Sequence, residues 1–265
     1  MPRTVPSADG TPIAHEIVGD GPALVLVAGI FCTRETLRPL AEALADRFRV
    51  AVYDRRGRGA SGGQGPVPDD AVAREVEDLD AVIGALGGEA SVYGHSSGAG
   101  VALRAAAAGL AIPRLVLHEP PYGPDDDASV AEVRTMAADI VTALDEDRPG
   151  DAIARFMADM GLPPEVLAGM TADPGMLAVA PTMPYDLMVM GDLDAGGAVP
   201  EGLVRSVAVP TLVVVGGASP DFFRDTADRL VELLPDARRA KLDGHDHGAP
   251  ADVVAPVVAS FPGVA

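Results

Sequence analysis

Residues 90–98 constrain the fold more than any other stretch of the chain. A short β-prone run, Ala90 to Tyr93, meets Gly94; His95, Ser96, Ser97 and Gly98 follow, and then a small apolar run from Ala99 through Leu103 into Ala105–Ala108. This reads as a strand, a sharp turn and a helix. A serine at such a turn takes a strained backbone conformation that pushes its hydroxyl outward. Glycine on both flanks leaves room for the neighbouring strand and helix, where a Cβ would clash. The helix also aims free N–H groups at the same point, so Ser97 N–H is placed to bind a developing oxyanion.

The G-x-S-x-G spacing occurs twice. Gly59-Ala60-Ser61-Gly62-Gly63 also matches, but it follows Arg55-Arg56-Gly57-Arg58 and runs into Gln64-Gly65-Pro66. With no strand directly before it and no helix directly after it, it reads as a flexible loop. Context selects Ser96 over Ser61.

The rest of the chain alternates strands with helices. Asp9-Gly10 is a hairpin turn between Thr4–Pro6 and Thr11–Val18. Ala23–Ala28 is a continuous apolar run, as expected of a strand buried on both faces. A helix fits from Thr33 or Glu35 to Phe48, with Leu37, Leu40 and Leu44 on one face, and Arg49–Asp54 is the next strand. A helix capped by Asp69 or Asp70 carries the stripe Val72, Val76, Leu79, Ile83 and Leu86. Strands follow at Arg114–His118, Thr211–Val215 and Arg238–Leu242, and helices at Phe222–Leu234 and Ala249–Phe261, the last kinked by or starting at Pro256. This alternation implies an α/β fold with a mostly parallel sheet covered by helices on both sides. Function in such sheets gathers beyond the carboxyl ends of the strands. Those ends are Gly29–Thr33, Asp54–Arg58, Ser96, Glu119, Gly216–Asp221 and Gly244–Gly248.

From Tyr122 to Val207 the alternation stops and the chain reads as helices only, near 129–144, 151–160, 165–170 and 179–190. The expected organisation is a core of residues 1–121 and 208–265 with a helical lid, 122–207, inserted after the sixth strand. Eight of the nine methionines lie in that insertion. They suit either an adaptable apolar pocket or ordinary gap filling between helices.

Composition excludes several functions. A net charge of −19, from 39 acidic and 20 basic residues, disfavours nucleic acid and anionic membranes as partners. A single cysteine, Cys32, excludes an internal disulfide. The sequence contains no metal-ligand spacing, no phosphate loop and no long apolar run. The expectation is therefore a cytoplasmic enzyme acting on a small molecule without metal or cofactor, with a homodimer as the oligomer to look for.

These features together resemble the α/β-hydrolase family over nearly the whole chain, and most of all small bacterial serine hydrolases with a helical lid. The matching residues are Val27-Ala28-Gly29-Ile30, the loop Tyr53-Asp54-Arg55-Arg56-Gly57-Arg58-Gly59, the turn Gly94–Gly98 and a late histidine. Two positions depart from the family pattern. The oxyanion loop has Ala28-Gly29 in place of His-Gly, although a backbone donor, Ile30 N–H, serves there. The aspartate common after the seventh strand is also missing, because Gly216-Gly217-Ala218-Ser219 puts serine at its position.

The resemblance implies Ser96 as nucleophile, with Ile30 and Ser97 N–H groups as the oxyanion hole. Two acids keep the chain order of a triad: Glu119 at the end of the sixth strand, preferred because a strand end holds a carboxylate rigidly, and Asp221, which is also a candidate helix cap. Gly244-His245-Asp246-His247-Gly248 offers two imidazoles, of which His247 is preferred as base. His118, adjacent to Glu119, should face the other way on its strand, and His15 reads as a surface residue. Phe31, Cys32, His95, Met136, Met157 and Met188 are the expected substrate-pocket residues. The implied activity is cleavage of an ester, lactone or thioester with an apolar group through an acyl-enzyme. Non-hydrolytic acyl transfer, cyclisation or lyase chemistry in the same pocket, or ligand binding with a vestigial triad, are the alternatives.

Overall fold

A computed structural model describes residues 2–160 and 162–261. Among them eight strands form one sheet: β1 (Arg3–Pro6), β2 (Pro12–Val18), β3 (Ala23–Val27), β4 (Arg49–Tyr53), β5 (Ser91–His95), β6 (Leu115–His118), β7 (Thr211–Gly216) and β8 (Ala237–Leu242). Their order is β1-β2-β4-β3-β5-β6-β7-β8. The first two pairings are antiparallel and all others are parallel. The helices, in chain order, are α1 (Arg34–Leu44), α2 (Ala71–Ala85), α3 (Ser97–Ala107), α4 (Asp127–Asp145), α5 (Pro149–Met157), α6 (Pro164–Ala172), α7 (Pro174–Val179), α8 (Met183–Met190), α9 (Asp192–Ala195), α10 (Glu201–Ser206), α11 (Asp221–Leu233) and α12 (Ala251–Ser260).

The sheet separates two apolar layers. On one face Val25, Val27, Val92, Leu117 and Val213 pack under α2, α3 and α11. On the other, Leu24, Leu26, Val50, Val116 and Val214 pack under α1 and α12. Both sets come from the same central strands at alternating positions, which is why these strands read as unbroken apolar runs. Each fully buried Val or Leu contributes roughly 1.5–3 kcal/mol. The Leu37, Leu40 and Leu44 stripe of α1 is buried as expected. On α2 Leu79, Ile83 and Leu86 are buried, but so are Glu75 and Asp78, which pair with Arg55 and Arg56 of the loop after β4.

Helices α4–α10 all lie between β6 and β7. Ala137, Ile140, Ile153, Met157, Met183 and Leu187 form a separate apolar cluster there, with Ile30 and Phe31 of the β3 end packed against it. Helix α4 starts two residues before the expected Ser129, capped by Asp126, whose carboxylate accepts from Ala128 and Ser129 N–H. The expected helix at 179–190 is broken by Pro181 and Pro184 into α7, a 3-10 turn and α8. Helix α12, by contrast, runs unbroken through Pro256. No helix of the described residues is long and apolar enough to cross a membrane.

Two further expectations are corrected. His15 is buried, at 4 % exposure, because β2 is flanked by β1 and β4 and its ring falls on a covered face. Ser61 is likewise buried: its Oγ accepts from Ala14 N–H at 2.8 Å and donates to the Asp54 carbonyl at 2.6 Å. The second G-x-S-x-G therefore pins the β4 loop to β2 and is not a flexible segment.

Candidate active site

The turn after β5 has the strain its sequence implies. Ser96 sits at φ 56°, ψ −130°, a conformation costing roughly 1–3 kcal/mol outside glycine. The flanking glycines have specific neighbours. A Cβ on Gly94 would lie 2.5 Å from Ala99 Cα in α3, and one on Gly98 would lie 2.3 Å from the Val27 carbonyl oxygen at the end of β3. Gly29 closes the other side, where an added Cβ would meet Ser96 Cβ at 2.8 Å. The backbone that carries Ile30 N–H thus lies against the serine. Neither Ile30 N–H nor Ser97 N–H, at the first turn of α3, donates to another described residue. Both donors are free for a ligand oxygen.

Glu119 and His247 come together beside this turn. Glu119 follows β6 at φ 48°, and its carboxylate accepts from His247 Nδ1 at 2.7 Å and from Gly216 N–H at 2.7 Å. Burial alone would raise its pKa. The hydrogen bonds from His247 and Gly216 N–H outweigh it and hold the carboxyl at about 2. Glu119 thus reaches across to the end of β7, where Ser219 stands in place of an acid. Asp221 is elsewhere: it opens α11, exposed and paired with Arg224. His245 takes no part in the pair; its carbonyl accepts from Ala218 N–H.

The His247 ring stacks on Phe223, at 4.8 Å, and lies tilted against His95, at 4.5 Å. His95 Nε2 also bonds the His247 carbonyl at 3.0 Å. His118 does point away from Glu119: its Nδ1 meets the Tyr93 hydroxyl at 2.6 Å, and its ring packs edge-on against His95. Ser96 N–H bonds the His118 carbonyl at 2.9 Å, locking the turn to the end of β6. The Ser96 hydroxyl makes no hydrogen bond to a described residue. Contacts between nucleophile and base often tighten only once substrate is bound.

Burial depresses His95 to about 3 and His118 to about 4. The sign of the consequence follows from linkage. Unfolded histidines take up protons near pH 6.5 while the folded ones do not, so each removes stability as pH falls from 6.5 towards its folded value. Asp192, raised to about 7 by burial and by the Asp186 charge, acts in the opposite sense over the same interval. We expect His118→Gln to lower the slope of unfolding free energy against pH, between pH 6 and 5, by about 1.4 kcal/mol per pH unit relative to the parent. Urea melts across that interval would show it, and equal slopes would refute it.

The expected pocket residues divide. Phe31, at φ 59°, packs edge-on against Phe156 of α5 at 5.7 Å, next to the oxyanion loop. Met136 lies at the margin of the apolar cluster of the insertion. Cys32 packs under α1 and α12, its thiol pKa raised by burial. His95 supports His247, as described. Met157 is buried in the insertion's apolar cluster, against which Phe31 also packs, and Met188 lines a groove with Pro66, Val141 and Leu193. Flexible thioethers fill gaps between these short helices.

One group was missed by sequence reasoning. Asp186 of α8 is buried and accepts from Arg55 at 2.6 Å, from Arg58, and from the Ser97 hydroxyl at 2.7 Å. Arg55 and Arg58 keep its carboxyl below the ordinary value despite burial. Burial lowers Arg58 against the pull of Asp186, with Arg55 adding to the fall. Glu75 completes the cluster on Arg55.

Residues 24–259 match the alpha/beta hydrolase family, and the chain belongs to it. Among solved structures it is similar to an alpha/beta hydrolase from Sphaerobacter thermophilus, 46 % identical with a TM-score of 0.82, over 97 % of this chain and 98 % of that one. It is 31 % identical to N-formylmaleamate deformylase of Pseudomonas putida over 92 % of this chain and 88 % of the deformylase. It is also 32 % identical over 86 % of its length to polyketide synthase ThaQ of Burkholderia thailandensis. The chain spans only 11–15 % of the length of the first curated relatives it matches.

Proposed function

We propose that this α/β hydrolase is a serine hydrolase that cleaves an ester, lactone or thioester bearing an apolar group. The observation that carries this reading is the pairing of buried Glu119 with half-buried His247, 2.7 Å apart, beside the strained Ser96 turn. Ser96 Oγ attacks the carbonyl carbon and His247 Nε2 takes its proton. Glu119 on Nδ1 fixes the tautomer and stabilises the imidazolium. Ile30 and Ser97 N–H groups hold the oxyanion. His247 returns the proton to the leaving group, and water then releases the acyl-enzyme by the same route.

Helices of residues 122–207 act as the lid. The support is that Phe156 packs against Phe31, next to Ile30, and Asp186 bonds the Ser97 hydroxyl. The substrate is uncharged where it meets this surface. Ile30, Phe31 and Phe156 are apolar, and the buried arginines beside them, Arg55 and Arg58, are matched by Glu75 and Asp186. A substrate carboxylate there would be desolvated without a counter-charge. Hence p-nitrophenyl butyrate should be turned over with kcat/KM about tenfold or more above that of the p-nitrophenyl hemisuccinate. Equal or reversed preference would refute the neutral-substrate reading, and no turnover of any ester would remove the hydrolase itself.

The likeness to a segment of a polyketide synthase favours a second reading, acyl transfer to a nucleophile other than water. Product analysis with an acyl thioester separates free acid from a transferred or cyclised acyl group.

A further inference from the structure

Two backbone N–H groups form the oxyanion hole in this reading, and the geometry behind them is unusual in its charge. Gly29 C=O and Ile30 N–H are the two ends of a single planar peptide group. Arg58 Nη1 donates to that carbonyl at 2.7 Å, and Cys32 N–H reaches the same oxygen at 3.4 Å. Arg55 Nη1 donates to the preceding carbonyl, Ala28, at 3.3 Å. A cation bonded to the carbonyl end draws electron density along the peptide and makes its N–H end a stronger donor. It also fixes the plane of the peptide, and with it the direction of the N–H. The second donor has no cation behind it, since the Ser96 carbonyl of its peptide accepts from Ala99 N–H, but the side chain of the residue that supplies it, the Ser97 hydroxyl, is bonded to the same Asp186.

Both arms meet on helix α8 of the insertion. Asp186 binds Arg55, Arg58 and Ser97, and Thr182, just before α8, accepts from Arg58 Nε at 3.0 Å. Helix α8 packs on α2 and α3, closely enough that a Cβ on Gly100 would meet Met190 Sδ at 2.7 Å. A buried ion cluster is a poor way to gain stability, because desolvation offsets most of the attraction. What it supplies is fixed geometry.

We propose that Arg58, oriented by Asp186 and Thr182, is a positioning residue that sets and polarises the Gly29–Ile30 peptide, so that docking of α8 on the core completes the oxyanion hole. The proposal rests on the serine-hydrolase reading above. It makes catalytic competence depend on the insertion through two side chains that touch no substrate.

The test compares the parent with Arg58→Lys and Asp186→Asn, each normalised to active sites titrated to completion with a fluorophosphonate. Lysine keeps the charge but cannot reach Gly29 O, Thr182 Oγ1 and Asp186 together. The expected result is a kcat per titrated site lower by about 10- to 100-fold, with KM changed by no more than about twofold. A trifluoromethyl ketone, which forms a tetrahedral oxyanion on the serine, should lose affinity by the same factor as kcat. If Asp186→Asn does not fold, Arg58→Lys decides alone, with Thr182→Val, which removes a single Arg58 bond, expected to shift both quantities a few-fold in the same direction. Unchanged kcat per site and unchanged ketone affinity, whatever the melting temperature, would reduce the cluster to a structural staple and overturn the proposal. A parent protein that takes up no fluorophosphonate overturns the hydrolase reading and this proposal together. A labelled parent with indifferent variants overturns the proposal alone.

Discussion

Ser96→Ala is expected to lower ester turnover by at least about 10⁴-fold and to abolish covalent uptake of a fluorophosphonate. The loss is chemical, because alanine keeps the Cβ that packs on Gly29 and the backbone at φ 56° is as uncomfortable for alanine as for serine. Its melting temperature should therefore stay close to that of the parent. Ser96→Gly should be equally inactive yet more stable, by about 1 kcal/mol, because glycine occupies positive φ without strain. A turn that stores strain to present a hydroxyl predicts this pairing of lost activity with gained stability. Ser61→Ala is the control within the second G-x-S-x-G. It removes two buried hydrogen bonds and should cost roughly 1–3 kcal/mol of stability, while each folded molecule still labels. Labelling that survives Ser96→Ala, or disappears in folded Ser61→Ala, would show that the wrong serine had been chosen.

What could be read from the sequence follows the range of the interactions involved. The Ser96 turn was legible because its strain, its glycines and its helix N-terminus all lie within nine residues. The sheet was legible because parallel strands buried on both faces leave unbroken apolar runs such as Ala23–Val27. The insertion was legible as helical but not in its boundaries, since prolines at 164, 174 and 184 start short helices there and the tertiary cluster decides where each ends. Burial of polar side chains was the least visible. His15 looks like a surface residue and Ser61 like part of a flexible loop until Tyr53, across the strand pair from His15, and Ala14, 47 residues from Ser61, are known as their neighbours. One signal was available and unused: Glu75 and Asp78 fall on the apolar side of α2, and three arginines follow β4, so buried pairing between them could have been inferred. Asp186 had no such signal. It lies 128 residues from Arg58 in the chain, and nothing near it sets it apart from an exposed helical aspartate.

The choice between the two acids is the point at which sequence and structure bear on each other most directly. Glu119→Gln should lower kcat on the order of 10⁴-fold, since an amide nitrogen turned to His247 Nδ1 would favour the wrong tautomer and could not stabilise the imidazolium. Asp221→Asn should change kcat by less than twofold and stability by less than about 0.5 kcal/mol, because an exposed Asp–Arg pair contributes little. The pH dependence of stability supplies an independent check. Glu119 is held at about 2 against an ordinary value of 4.5. Its contribution is thus fully present above pH 4.5 and is lost as pH falls from 4.5 towards 2, because only the unfolded chain takes up the proton in that interval. The Glu119→Gln protein should lack this acid limb, with a shallower fall in stability below pH 4.5 than the parent, whereas Asp221→Asn should keep it. Loss of activity in Asp221→Asn with retention in Glu119→Gln would assign the acid to the loop after β7. Loss in Glu119→Gln alone would assign the acid to the end of β6, where the carboxylate that meets His247 also accepts from Gly216 N–H at the end of β7.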